Sequence, residues 1–313
     1  MPEPAIETVN LFKQYRGRPV VRDLSFTVRP GEVYALVGPN GAGKTTVIRL
    51  VSGLAYPSGG EVRLLGGDPH ADGSVRAGLG AMVEAPAAFY PYLSGRGNLQ
   101  LQARLAGGVA EERISEVLEL MELGAASERK VAVYSLGMRQ RLGVAAAIMN
   151  DPDVLILDEP ASGMDPLSLH LVHRVLRESA SRGTAVLIST HHLEEVVSYC
   201  SRVGIMEAGV LIDEVDLRKR GSRYRARVSD VHAAVAALQV QPFVSEAFSR
   251  DKELVFTLSD VERLGYVSVV LGSNGIGLFE LTPDVFNLRA YYYERMARSG
   301  GRTAQAAQPG VPG

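Results

Sequence analysis

The sequence predicts an α/β fold: a parallel central sheet, an N-terminal antiparallel β subdomain, a helical insertion and a small C-terminal α+β domain. Three observations carry this. Compact apolar runs at 32–37, 154–157 and 185–189 alternate with helical patterns, as buried parallel strands and their crossover helices do. A glycine-rich turn follows the first run and an acidic pair follows the second. Six basic residues crowd into 217–227, after which the pattern of strands and helices starts afresh.

Taken in order, residues 5–9 and 20–28 alternate apolar and polar side chains, as half-buried strands do. Residues 32–37 form a strand ending at Gly38, 46–53 a helix stopped by Gly53, and 61–65 a further strand. Pro86 and Pro91 punctuate an entry loop, and a helical pattern then runs from 98 to 123, giving an insertion at about 85–150. Residues 154–157 and 185–189 are buried strands with a helix at 166–181 between them. Beyond the basic run come a strand at 224–228 and a helix at 231–238. A hairpin of 243–249 and 254–258 follows, turning at 250–253, then a helix at 261–271 and a strand at 276–281. That order, β-α-β-β-α-β, is the split βαβ unit. A last helix is expected with Thr282 as its N-cap and Pro283 in its first turn. Residues 299–313, rich in Gly, Pro, Ala and Gln, read as a disordered tail. The domain plan is therefore 1–218, 219–298 and the tail 299–313. No internal repeat is visible.

The 313 residues carry a formal charge of -2, which gives no reason to expect nucleic acid as a partner. The single cysteine, Cys200, excludes an internal disulfide; it reads as a small buried apolar residue and fits a reducing compartment. The first ten residues lack the basic start and apolar stretch of a signal peptide. No apolar run approaches the roughly 20 residues a membrane helix needs. Action at a membrane would therefore run through a partner. The basic residues at 218–227 read as a solvated linker and strand edge, with a membrane-surface contact as the alternative.

Gly38-Pro39-Asn40-Gly41-Ala42-Gly43-Lys44-Thr45 fits the phosphate-loop pattern G-x-x-x-x-G-K-[ST]. Its glycines let the backbone curl so that N–H groups point at phosphate oxygens. The helix starting near Lys44 adds its positive end. Lys44 is placed for the β- and γ-phosphates, the Thr45 hydroxyl for Mg²⁺, and Thr46 borders the same ligand. ATP is the expected nucleotide. The strand at 154–157 delivers Asp158 to the end where open α/β sheets bind ligands, as a Mg²⁺ partner direct or through water. Glu159, one residue on, is placed to polarise an attacking water as general base.

With these motifs in hand, residues 5–217 resemble the ATP-binding cassette (ABC) ATPases, built on the phosphate-loop NTPase core. Tyr134-Ser135-Leu136-Gly137-Met138-Arg139-Gln140-Arg141 is similar to the family's signature, usually written LSGGQ. Leu136 stands for its first glycine and Met138 for its glutamine. The resemblance implies that Ser135 and Gly137 face the γ-phosphate held by another subunit. It implies that Asp165, in Ser162-Gly163-Met164-Asp165, lies in the loop crossing that interface. It implies that His191 contacts the γ-phosphate and that Tyr15 stacks on adenine; His192 is left as a surface residue. Glu84 stands where most members carry a glutamine, which would alter metal coordination and local proton affinity. That glutamate and residues 89–96, Phe-Tyr-Pro-Tyr-Leu-Ser-Gly-Arg, resemble the peptide-antibiotic, lantibiotic-immunity, bacitracin and daunorubicin export branch. In the family the latter stretch docks on a membrane subunit.

The resemblance thus implies an ATP-hydrolysing exporter subunit at the cytoplasmic face of the membrane. It would work as a homodimer, or with a second nucleotide-binding subunit, beside separate permease subunits. Two other readings remain: a soluble ABC ATPase acting on ribosomes or DNA, and a cassette that binds ATP without turnover. One phosphate loop, no coiled-coil insert and no zinc pattern weigh against the first; Glu84 and the altered signature keep the second.

Overall fold

The computed structural model describes residues 3–83, 89–218, 223–284 and 286–305. Two compact units divide the chain: residues 1–215 with 289–313, and residues 216–288.

The first unit opens with the antiparallel hairpin β1 (Ile6–Tyr15) and β2 (Arg18–Val28). Its turn residues Arg16 and Gly17 take φ of 50° and 78°, the left-handed pair that matches strand twist in a two-residue hairpin. Then come β3 (Val33–Val37), α1 (Lys44–Val51), β4 (Gly59–Leu64), α2 (Gly73–Ala77) and β5 (Leu79–Met82). The insertion consists of α3 (Gly95–Leu105), α4 (Glu111–Leu120) and α5 (Leu136–Ile148). The helical pattern of 98–123 is divided between α3 and α4. Gly107 and Gly108 take φ of 96° and 104°, a backbone that ends α3. The unit continues with β6 (Val154–Asp158), α6 (Pro166–Ser181), β7 (Ala185–Thr190), α7 (Leu193–Val196), β8 (Arg202–Glu207) and β9 (Val210–Asp216).

Two sheets result. A three-stranded one has the order β2-β1-β4, antiparallel throughout. A six-stranded one has the order β5-β6-β7-β3-β8-β9, parallel from β5 to β8. Leu36, Ile48, Ile156 and Leu187 are fully buried in the apolar cluster that joins β3, α1, β6 and β7. Each such side chain contributes roughly 1.5–3 kcal/mol of transfer free energy. One buried ionic network crosses the sheet. Glu32, 2% exposed, meets the Arg202 guanidinium at 3.3 Å. The other arm of Arg202 reaches Glu214 at 2.7 Å, and Glu214 accepts from the Tyr34 hydroxyl at 2.6 Å. Burial, and then Glu214, push the Tyr34 phenol well above its ordinary pKa, so it stays a donor.

The second unit holds β10 (Arg223–Val228), α8 (Val231–Gln239), β11 (Val244–Arg250), β12 (Glu253–Leu258), α9 (Leu264–Ser273) and β13 (Leu278–Pro283). The sheet order is β11-β12-β10-β13, antiparallel throughout, which is the split βαβ topology. Its hairpin turns at Asp251 and Lys252, with φ of 52° and 65°. Thr282 and Pro283 do not start a helix. They pair with Arg225 and Tyr224 as the last residues of β13. β13 is an edge strand, where a proline's missing N–H costs no ladder bond. The basic residues of β10 are ion-paired: Arg223 with Glu246 at 2.6 Å, Arg225 with Glu253 at 3.2 Å, Arg227 with Glu280 at 3.7 Å.

The last helix, α10 (Leu288–Gln305), begins later than expected, and from Arg289 onward it groups with the first unit. It also continues through 299–305, part of the stretch expected to be disordered; residues 306–313 lie outside the described ones. No described helix is long and apolar enough to cross a membrane.

Arg202→Met would remove the guanidinium that meets the buried Glu32 carboxylate. The expected loss is roughly 3–5 kcal/mol of unfolding free energy, read from urea denaturation of the two proteins.

Candidate functional site

Three neighbouring strands of the large sheet, β6-β7-β3, end side by side. Residues 38–43 leave β3, Asp158 and Glu159 leave β6, and His191 leaves β7. This is the carboxyl edge of parallel strands, where α/β sheets open their crevices.

The loop at 38–43 can only be glycine where it bends. A Cβ on Gly38 would lie 2.3 Å from the Met206 carbonyl of β8. At Gly43, φ is 101° and a Cβ would lie 2.8 Å from the Val20 carbonyl of β2. Gly209 presses on that same Val20 carbonyl and donates its N–H to Ala42 at 2.9 Å. The loop is thus braced between β2 and the turn after β8. Pro39, Asn40 and Gly41 form its exposed crest; Ala42 is buried. Gly43 caps α1 without any side-chain acceptor, so the first N–H groups of the helix offer themselves to an anion. Thr46, in the first turn, is also buried.

Lys44 is 6% exposed. Its ammonium donates to the Gly38 and Pro39 carbonyls at 2.8 and 3.3 Å and lies 3.6 Å from a Glu159 oxygen. The Thr45 hydroxyl donates to Asp158 at 3.2 Å. Asp158 also accepts from the Ser189 hydroxyl of β7. Ser189 in turn takes the Glu159 N–H on both its hydroxyl oxygen, at 3.0 Å, and its carbonyl, at 3.2 Å. Glu159 has φ of 47°, a left-handed backbone costing roughly 1–2 kcal/mol, and these two bonds hold it there. Its other oxygen meets His191 Nδ1 at 2.8 Å. The His191 ring is half-exposed and lies tilted against His192, centroids 4.1 Å apart. Sequence reasoning missed Ser189; its signal is a pair of hydroxyls, Ser189 and Thr190, ending an otherwise apolar strand.

The remaining predicted residues are placed as follows. Ser135 is the N-cap of α5, its oxygen accepting from Met138 N–H at 3.2 Å, and Gly137 lies in the first turn. Leu136, the departure from the signature, packs over Gly163, where a Cβ would meet its Cδ2 at 2.3 Å. The same chain thereby joins the signature turn to the 162–165 loop. Asp165 caps α6, and the Ser168 N–H and hydroxyl hold its carboxyl below the usual range. Tyr15 ends β1, partly exposed, with the Lys13 ammonium 4.8 Å from its ring centre. Glu84 lies outside the described residues. Of 89–96, Phe89 is buried, whereas Tyr90 and Tyr92 are exposed with ring centres 5.7 Å apart. Burial raises the Cys200 thiol well above its ordinary pKa, so it remains a neutral core residue.

Residues 21–162 match the family model described as ABC transporter. The bacitracin transport ATP-binding protein BcrA of Enterococcus faecalis is 35% identical over 305 residues, 95% of this chain and 98% of its own. This chain belongs to the ABC transporter ATP-binding proteins. An uncharacterized ABC transporter ATP-binding protein of Bacillus subtilis, YhcH, is 46% identical over 210 residues, 66% of this chain and 68% of its own. Among solved structures, one titled as the ATP binding subunit of an ABC transporter superposes with a TM-score of 0.63 at 32% identity. It covers 68% of this chain and 90% of its own. The cassette is accordingly an ATPase, the ATP-binding subunit of a transporter.

Behind the site, α6 carries His173, 5% exposed and stacked on Tyr199 at 3.8 Å. Burial, with help from His170 and Arg177, lowers its pKa from 6.5 to about 4; Glu195 lies 3.9 Å from its Nε2. Between pH 6.5 and 4 the unfolded chain binds a proton that the folded chain refuses, so stability falls as pH falls through that window. His173→Phe should retain the ring stack and flatten this part of the acid limb by up to roughly 3 kcal/mol, read from denaturation midpoints at pH 7, 5.5 and 4.

Proposed function

We propose that this cassette is the motor of an exporter in which two copies pair head to tail around two ATP molecules, each copy supplying half of each site. The observation that supports it most directly is the Glu159 carboxylate, set 3.6 Å from the Lys44 ammonium and 2.8 Å from His191 Nδ1. A carboxylate fixed at that point is a base within reach of a water attacking the terminal phosphate.

In this reading the loop N–H groups and Lys44 bind the β- and γ-phosphates. His191 contacts the γ-phosphate and orients Glu159, while Tyr15 stacks on the adenine. Ser135 and Gly137 complete the site on the opposite copy, and Asp165 borders that interface. Thr45 and Asp158, two oxygen donors 3.2 Å apart, fit the protein's share of a Mg²⁺ shell, which the nucleotide phosphates and water complete. Bound there, the cation would neutralise charge developing on the phosphates. Among the described residues no group of three or more His, Cys, Asp or Glu could hold a metal, consistent with an ion shared with substrate. Glu84 is proposed as a further ligand facing this shell.

Closure of the two copies would pull on separate permease subunits through Tyr90 and Tyr92, aromatics exposed beside the buried Phe89. Asn98 holds their turn by accepting from the Tyr90 N–H and donating to its carbonyl. The cargo class proposed is a drug, antibiotic or peptide, supported by the full-length likeness to a bacitracin transport subunit. The cytoplasmic membrane face is the proposed location.

Glu159→Gln should bind ATP with wild-type affinity and lose turnover by about a hundredfold or more, measured by phosphate release. Unchanged, measurable turnover in that variant would remove Glu159 from its role. Tyr92→Ala should leave ATP binding and basal hydrolysis intact and abolish transport by the reconstituted complex; full transport would place the docking surface elsewhere.

A further inference from the structure

The chain leaves the first unit through β9 and returns to it in α10. Asp213, on the exit strand, ties the two together. Its carboxylate accepts from the Tyr291 hydroxyl and pairs with Arg295 at 2.7 Å, and Arg295 also donates to that hydroxyl at 2.7 Å. Tyr292, between them, is 7% exposed. The return helix is therefore fastened to the cassette by an aromatic side chain and a charge cluster.

Its first turn reaches toward the hydrolytic side. Arg289 pairs with Glu194 of α7 at 2.7 Å, and the Tyr293 ring, one turn on, centres 5.9 Å from the guanidinium. A cleft of about 310 Å³ is lined by His191, His192, Glu194, Glu195, Arg289 and Tyr293. α7 has four residues and no side-chain N-cap, and only His192 separates it from His191. A helix that short has no stability of its own. Its place is set by what it touches: the buried Val196 beneath, His173 near Glu195, and Arg289 on Glu194. A solved cassette covers only 68% of this chain while filling 90% of its own length, so a cassette folds without a segment the size of 216–313.

We infer that Arg289 is a positioning residue for the segment that carries His191. Through Glu194 it holds α7 at the register where the His191 ring meets Glu159. Tension on the return helix then alters turnover without touching the phosphate loop. The inference rests on the roles proposed above for His191 and Glu159. An exposed ion pair favours one arrangement by no more than about fivefold, so the control is graded rather than all-or-none.

The test uses the full chain with Arg289→Glu, Glu194→Arg and the double variant. Amide hydrogen exchange at 190–197 and steady-state hydrolysis are both measured, with ATP affinity and melting temperature alongside. Either single variant should speed exchange at 190–197 and lower kcat by roughly two- to fivefold, with KM and melting temperature unchanged. The double variant should recover both. Exchange that does not respond, or responds without a change in kcat, overturns the inference, as does a loss of kcat that the double variant fails to recover. Exchange does not depend on turnover. A wild-type chain that fails to hydrolyse ATP would strike the catalytic roles, while exchange still reports whether Arg289 holds α7.

Discussion

Ser189 sits in the middle strand of three, with the phosphate loop's strand on one side and the acidic strand on the other. Its hydroxyl donates a hydrogen bond to Asp158, and its hydroxyl oxygen and carbonyl both accept from the Glu159 N–H. The two bonds from the Glu159 N–H stabilise a left-handed residue just where the chain leaves β6, and that bend aims the Glu159 carboxylate back toward Lys44 and His191. Without the turn, the acidic side chains would diverge as successive strand residues do, one to each face. The geometry of this cluster therefore depends on strand order and on one hydroxyl as much as on the acids themselves.

The phosphate loop answers to a different constraint, which is space. Carbonyl oxygens from β2 and β8 press on Gly38, Gly43 and Gly209, leaving no room for a methyl group at any of them. The small antiparallel sheet and the β8–β9 turn thus fix the loop from behind. Rigidity there keeps the N–H groups arranged before the anion arrives, so little ordering cost falls on binding.

Much of this was legible because its stereochemistry is local. The 38–45 motif, the acid pair after an apolar strand and the 251–252 hairpin each declare themselves within eight residues. What resisted reading was decided by distant neighbours. Thr282 and Pro283 have the local chemistry of a helix start, yet pairing with β10 makes them strand. Ser189 looks like an ordinary strand terminus until β6 is laid beside it. Leu136 looks like a damaged signature until Gly163 is found beneath it. The attachment of the last helix to the first unit has no sequence signal, because Asp213 and Arg295 are 82 positions apart and neither is unusual where it stands. Glu84, legible as a substitution, lies outside the described residues and stays a reading of the sequence.

The Asp213 cluster also bears on how this architecture could have arisen. Because exit strand and return helix are bound to each other, the intervening residues form a closed detour whose ends are held together by the cassette itself. Lengthening, shortening or replacing such a detour changes the entropy of ring closure only logarithmically. A fold of that kind accepts exchange of the inserted module with little penalty to its host. Variation among relatives is then expected to concentrate in the module's size and surface, while the clasp that makes the exchange harmless stays in place.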